Sequence, residues 1–181
     1  SELEKVLREV EEEVRRLKKK LKESLDRTKE IVDRLKKDLK RSLDETKKIV
    51  DELREKLGGR KEADELLKRA NEHDKRVIDK IRELLERALR EDERVVREIR
   101  KRLKELLERV REVVERLKDE GRDKDLKDVE RKAEKLVEDL DRELKEVEKT
   151  SRKLVKELEA ELREVDKTSK KLVDDLRKDA K

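Results

Sequence analysis

The sequence predicts an all-α protein, an up-down-up antiparallel three-helix bundle of long straight helices, and three observations favour it. Apolar residues make up 31% of the 181-residue chain and recur at helical spacing. The three glycines fall at two places only, Gly58-Gly59 and Gly121, and there is no proline. An 18-residue pattern repeats between these breaks. Although 61% of the residues are charged, the strict apolar periodicity favours helix over disorder.

The 18-residue repeat occurs separately in each predicted helix. The segment 24–35 recurs as 42–53, and the segment 136–151 recurs as 154–169. In the middle helix, Val77, Ile81, Leu85 and Leu89 recur as Val95, Ile99, Leu103 and Leu107. Eighteen residues make five turns at about 3.6 residues per turn, so the pattern stays on one face of a straight helix. A seven-residue repeat would drift and impose a left-handed supercoil.

The glycines divide the chain into helices at about 2–57, 61–119 and 124–180, with loops near 58–60 and 120–123. Asp123 is expected to cap the third helix. Each helix would be roughly 80–90 Å long at about 1.5 Å per residue. Because both loops are short, sequential helices must be antiparallel neighbours. The expected organisation is a single domain over residues 1–181.

Each helix carries one apolar stripe, which doubled apolar pairs such as Ile31-Val32 and Val95-Val96 widen once per repeat. A stripe of this width suits burial against two neighbouring helices. Val77 is expected to lie on the stripe of the second helix. Ile31, Ile49, Val96 and Val113 could also border a fourth helix.

Polar residues interrupt the stripes at matched positions. Of the nine Ser and Thr residues, eight fall on or beside the stripes of the first and third helices. On the second helix the corresponding interruptions are Asp74 and Asp92. If the chain folds back at its first loop, residues of helices one and two lie at the same height when their numbers add to about 119. For helices two and three the corresponding sum is about 242–244. One predicted polar layer holds Ser24, Thr28, Asp92, Thr150 and Ser151; the other holds Ser42, Thr46, Asp74, Thr168 and Ser169.

The predicted layers are chemically coherent, because an ionised carboxylate accepts hydrogen bonds and hydroxyl groups donate them. A buried Asp without such donors would be costly. If one helix slid along another, the Asp would lose its hydroxyl donors. The layers are therefore expected to fix the register of the helices. One repeat beyond Asp92, the equivalent position on the second helix is Val110. Together with Val10 and Ala133, it is expected to form an apolar layer.

Catalysis is the functional alternative for these layers, with Ser or Thr as nucleophile and Asp as base. The first layer has no His beside its Asp, and a narrow bundle offers neither an oxyanion hole nor a substrate cavity. His73 lies beside Asp74, where a hydrogen-bonded residue at the rim of the layer is favoured over a metal ligand. Asn71 caps this layer or faces solvent. No catalytic, cofactor-binding or metal-binding residue is predicted.

Composition argues against several classes of partner. The net charge is +5, from 58 basic and 53 acidic residues, and clusters of the two signs lie side by side. With no aromatic residue to stack on bases, nucleic-acid binding is not expected. No apolar run exceeds two residues, so neither a transmembrane helix nor a signal peptide is expected. Without Cys, no disulfide or thiolate metal site is possible.

The 18-residue layering, glycine loops, aromatic-free composition and Asp–hydroxyl layers together resemble computationally designed helical bundles, in particular untwisted antiparallel three-helix bundles. The resemblance covers the whole chain. It implies a synthetic, very stable protein with no native compartment, soluble in the cytoplasm of an expression host. The Ser at position 1 fits removal of a leader. No catalytic residue follows from the resemblance.

The first functional hypothesis is therefore a structural scaffold whose fold is its purpose, with no required partner or cofactor. The alternative is a designed interaction module: an oligomer subunit, a heterodimer half, or a switch that accepts a further helix. Exposed apolar surface would favour this alternative. A natural lipid-surface or coiled-coil protein is a third hypothesis, against which the absence of aromatic anchors counts.

Overall fold

A computed structural model describes residues 2–55, 60–121 and 123–179, and over these residues the chain forms three α-helices: α1 (Glu2–Glu55), α2 (Arg60–Asp119) and α3 (Asp123–Asp179). The predicted all-α three-helix class is confirmed. The first loop at Gly58-Gly59 and the predicted ends of the first and third helices lie outside the described residues. So does the Asp123 side chain, so its predicted capping bond is not described.

The turn after α2 depends on Gly121. Its φ of 82° lies in the left-handed region, where a side chain is disfavoured. The N–H groups of Glu120 and Gly121 donate to the carbonyls of Leu117 and Lys118 at 3.1 and 3.2 Å. These bonds satisfy carbonyls left open at the helix end.

The chain divides into two compact units, each containing a stretch of all three helices. Unit 1 comprises Ser1–Thr28 and Leu89–Ser151. Within it, Lys20 pairs with Glu98 and Arg116 pairs with Glu2, so α1 and α2 run antiparallel. Its core draws on every helix and includes the predicted apolar layer, since Val10, Val110 and Ala133 are all buried. Other members include Val14, Leu17, Leu21, Ile99, Leu103, Leu106, Leu140 and Leu144.

Unit 2 comprises Lys29–Ala88 and Arg152–Lys181. At one level, Val50, Leu67, Val173 and Leu176 form a buried cluster drawn from all three helices. The same unit buries the stripe residues Val32, Leu35, Leu39, Ile81, Leu85, Leu158 and Leu162. Burying such aliphatic side chains contributes about 1.5–3 kcal/mol each, which is the main stabilising term in a protein without aromatic residues.

Two expectations about the stripes were wrong in detail. Val96, one of the residues that could have bordered a fourth helix, is buried in the core of unit 1. Val77, expected on the α2 stripe, is only half-buried, and its neighbour Ile78 is buried instead. Successive helical residues point about 100° apart. At positions 77 and 78 only Ile78 takes a core position, whereas Val95 and Val96 are both buried. The sequence pattern does not distinguish these two outcomes.

Candidate functional site

The predicted Asp92 layer comprises Ser24, Thr28, Asp92, Thr150 and Ser151, all of which belong to unit 1. Ser24 Oγ donates to Asp92 Oδ1 at 2.8 Å, and Thr28 Oγ1 donates to Asp92 Oδ2 at 2.6 Å. Both hydroxyl residues are buried, while Asp92 is half-buried. The two oxygens of one carboxylate are thus held by two side chains of α1. Hydrogen bonds to an ionised acceptor are shorter and stronger than neutral ones.

The four-residue spacing of Ser24 and Thr28 explains this geometry. Residues four apart lie one above the other on the same helix face, so both hydroxyls can reach one carboxylate on the neighbouring helix. Thr28 Oγ1 also lies 3.1 Å from the Ser24 backbone carbonyl. Because a hydroxyl has one proton, Thr28 shares it between the carbonyl and the nearer carboxylate oxygen.

The predicted Asp74 layer comprises Ser42, Thr46, Asp74, Thr168 and Ser169, which belong to unit 2. Its α1 residues repeat the arrangement around Asp92 at a distance of 18 residues along the chain. Ser42 Oγ donates to Asp74 Oδ1 at 2.9 Å and Thr46 Oγ1 donates to Oδ2 at 2.6 Å. Thr46 Oγ1 again lies 3.1 Å from the carbonyl of the serine one turn earlier. Here α3 also participates, because Ser169 Oγ donates to Asp74 Oδ2 at 2.5 Å. Asp74 therefore ties all three helices together.

The α3 residues behave differently in the two layers. Ser151 is the repeat equivalent of Ser169 and is equally buried, but its hydroxyl has no hydrogen-bond partner. Thr150 is half-buried and donates to the carbonyl of Glu146 in its own helix at 2.9 Å. Thr168 is half-buried beside Ser169. Within the part of the chain that the structure describes, hydrogen bonds to the carboxylate come from α1 in both layers, and from α3 in the Asp74 layer alone.

His73 and Asn71, the predicted neighbours of Asp74, differ in their exposure to solvent. His73 is exposed and Asn71 is half-buried. The three hydroxyls around Asp74 all donate to its carboxylate, so this Asp serves as a shared acceptor. Among the described residues, no group of three or more His, Cys, Asp or Glu side chains is placed to hold a metal ion.

Ion pairs cover the α1–α2 boundary in unit 1. Arg102 donates to Glu13 at 2.8 Å and also pairs with Glu105 at 3.1 Å. The hydrogen bond from Arg102 is the main cause that lowers the pKa of Glu13, with Arg16 adding to it and burial opposing it. The hydrogen bond from Lys20 likewise lowers the pKa of Glu98. These pairs stabilise the charged forms at the rim of the core.

Sequence reasoning missed an apolar groove between α1 and α2 in unit 2. Leu66 and Leu84 are exposed by 45% and 37%, and they are the large apolar side chains classed as exposed within residues 2–55, 60–121 and 123–179. A cavity of about 340 Å³ opens beside Leu66. It is lined by Glu45, Thr46, Ile49, Glu52, Leu53, Leu66, Arg69, Ala70, His73 and Asp74. The available signal was the 18-residue spacing of Leu66 and Leu84, which matches that of Ile31 and Ile49 on α1.

Comparison with known proteins agrees with the fold described above. No protein-family model matches the chain, and no curated protein matches it. Among solved structures, the chain is similar to a protein described as a computationally designed three helix bundle. The TM-score is 0.72 at 19% sequence identity, over 98% of this chain and 91% of the other. The fold is thus a three-helix bundle. In the described residues, no helix is both long and apolar enough to cross a membrane.

Proposed function

We propose that this chain is a designed structural scaffold: its fold is its purpose, and it has no biochemical activity of its own. The observation that carries this proposal is the duplication of one hydrogen-bond geometry. The two distances to Asp92 are 2.8 and 2.6 Å, and those to Asp74 are 2.9 and 2.6 Å. Each arrangement uses the same residue types with the same spacing, inside a repeat of five helical turns.

The chemistry of the layers supports a structural role. The hydroxyl groups of Ser24, Thr28, Ser42, Thr46 and Ser169 donate to a carboxylate on α2, so these hydrogen bonds serve helix pairing. A buried carboxylate with its donors in place specifies which residues lie level across two helices. The likeness to a designed three-helix bundle, and a composition without aromatic residues, support a designed origin.

A scaffold complete in itself must keep its structure as a single chain. The test is guanidinium unfolding followed by circular dichroism, performed at a dilution where light scattering shows a mass of 21.9 kDa. We expect high helicity and a transition at high denaturant under those conditions. Loss of helix at the dilution that yields single chains would contradict the scaffold proposal, because stability would then depend on association.

The absence of activity needs a separate measurement. Hydrolysis of an activated ester should proceed at the same rate with the parent, with Asp74→Asn and with buffer alone. A rate that depends on Asp74 would contradict the proposal, since it would show that the carboxylate activates a hydroxyl or water. We also propose that residues 1–181 are one domain, for which a single unfolding transition seen by two probes is the expected result.

The second candidate function is an interaction module, and the exposed Leu66 and Leu84 favour it. Both leucines lie in unit 2, and Leu66 lines the cavity between α1 and α2 together with Ile49 and Leu53. Exposed apolar surface beside a cavity is typical of a binding face.

A further inference from the structure

The cavity between α1 and α2 in unit 2 combines an apolar wall with a carboxylate. Its volume is about 340 Å³, within the range of about 300–1,000 Å³ that small-molecule pockets occupy. Ile49, Leu53, Leu66 and Ala70 form the apolar part of its lining. Asp74 also lines the cavity and is half-buried. Apolar walls with a few fixed polar groups are the usual composition of a ligand site.

The carboxylate of Asp74 is held in place and keeps room for a further donor. Ser42 donates to Oδ1, while Thr46 and Ser169 both donate to Oδ2. An ionised carboxylate accepts about four hydrogen bonds, two at each oxygen. Oδ1 can therefore accept one more. Because all three donors are neutral hydroxyl groups, they do not compensate the negative charge, which acts more strongly beside apolar walls than in water.

The 18-residue repeat shows which features are particular to this cavity. Its apolar residues, together with Thr46, Arg69 and Asp74, have identical residues 18 positions away in the sequence. The remaining three lining positions differ from their repeat equivalents. They are Glu45 for Arg27, Glu52 for Arg34 and His73 for Glu91. The same apolar sequence is thus bordered on α1 by two acidic residues at the cavity, and by two basic residues one repeat away.

The balance of charge around the cavity selects the sign of a ligand. Glu45, Glu52 and Asp74 supply three carboxylates, against the guanidinium of Arg69 and the imidazole of His73. This balance favours a cation over an anion. Asp74 and Leu66 are eight residues apart, or about 12 Å along α2 at about 1.5 Å per residue. A compact ligand with one charged end therefore fits the lining.

We infer that this cavity binds small amphipathic organic cations, with an ammonium group on the Asp74 carboxylate and an apolar body against Ile49, Leu53 and Leu66. The ammonium group supplies the donor that Oδ1 can still accept, in a charge-assisted hydrogen bond. The apolar body covers Leu66, which is 45% exposed. This binding goes beyond the scaffold role and does not depend on it.

The experiment compares three probes that share one rigid hydrocarbon cage and differ in charge: adamantylammonium, adamantanol and adamantane carboxylate. Each is titrated into the full chain up to about 10 mM and followed by amide NMR shifts, a range suited to weak ligands of this size. We expect a dissociation constant of about 1 mM for the ammonium probe, and about ten-fold weaker binding of the alcohol. The carboxylate should bind weakest. The shifts should centre on Thr46, Ile49 and Ala70.

Two variants test the charges separately. Asp74→Asn removes the negative charge with little change in shape, and should weaken the ammonium probe about ten-fold while leaving the alcohol unchanged. The matched control is Asp92→Asn, the same change at the repeat-equivalent carboxylate, which should alter neither affinity. Glu45→Arg combined with Glu52→Arg copies the residues found one repeat away. Both glutamates are exposed, so this variant keeps the test open if Asp74→Asn fails to fold.

Three results would overturn the inference. The first is equal affinity for the three probes, or no binding of the ammonium probe up to about 10 mM. The second is ammonium binding that survives both the Asp74 and the glutamate substitutions. The third is a set of shifts centred away from the cavity. None of them affects the scaffold proposal, which is tested by the stability of the single chain.

Discussion

Ser169 Oγ donates to Asp74 Oδ2 at 2.5 Å, a bond that connects α3 to the carboxylate already held by α1. Ser151, one repeat earlier on α3, is buried without a partner for its hydroxyl. Two serines in equivalent sequence contexts thus make different contributions. A hydrogen bond weakens steeply with distance and angle, so equivalent sequence positions need not form equivalent bonds.

Ser169→Ala should therefore destabilise the folded chain, whereas Ser151→Ala should not. Loss of the Ser169 bond to a charged acceptor should lower the free energy of unfolding by about 2 kcal/mol. Loss of the Ser151 hydroxyl should be neutral or stabilising, because it removes a buried polar group without a partner. Chemical unfolding of both variants measures the difference, and equal destabilisation would refute the assigned roles.

Replacing Asp92 and its two hydroxyl donors together by apolar residues should preserve stability, whereas replacing Asp92 alone should reduce it. Asp92→Ala alone should cost about 1–3 kcal/mol, because Ser24 and Thr28 lose their acceptor while buried. The triple variant Ser24→Ala, Thr28→Val and Asp92→Leu should be at least as stable as the parent, since apolar side chains replace a partly buried carboxylate together with its two hydroxyl donors. Denaturant midpoints of the two variants test this. A triple variant less stable than Asp92→Ala would show that the layer itself stabilises the fold.

Lowering the pH should remove the contribution that Glu13 makes to the free energy of unfolding. The pKa of Glu13 in the folded chain lies below its ordinary value of 4.5, mainly because Arg102 donates to it. The unfolded state therefore binds the proton at higher pH, so the stabilisation is present above that ordinary value and is lost as pH falls through the lowered pKa. Glu13→Gln should cost about 0.5 kcal/mol at pH 7, as for a partly exposed ion pair, and nothing below that range.

The measurement for Glu13 is the unfolding free energy at several pH values, compared with Glu11→Gln as the control. Glu11 is an exposed glutamate on the same helix, so its substitution changes the net charge equally. A pH dependence shared by both variants would indicate a general effect of charge, and would contradict a specific role for the Arg102 bond.

Gly121→Ala should destabilise the chain through its backbone alone. The φ of Gly121 is 82°, and an added Cβ would meet no atom within 4 Å. The loss of stability is then the cost of placing alanine in the left-handed backbone conformation, about 1–2 kcal/mol. Gly121→Asn should cost less, because asparagine tolerates this conformation better. Thermal unfolding of the two variants gives the order, and equal loss in both would point to a cause other than φ.

Much of the candidate site follows from arithmetic on the sequence. An α-helix rises by a constant amount per residue, and short loops set the heights of its neighbours. The levels of Asp92 with Ser24 and Thr28, and of Asp74 with Ser42 and Thr46, could therefore be assigned without coordinates. The direction in which each side chain points around its helix axis could not be assigned in the same way. Adjacent residues such as Thr168 and Ser169 share a height but differ by about 100° in direction.

By itself, the sequence determined the three helices, the stripe that each one buries and the heights of the polar residues, because periodicity and glycine placement act locally. Only the tertiary structure decided that Ser169 reaches Asp74 while Ser151 has no partner, and that Val96 is buried. It also decided that Leu66 and Leu84 remain exposed. These outcomes depend on how far each helix is rotated toward its neighbours, and that rotation is a collective result of packing over all three helices.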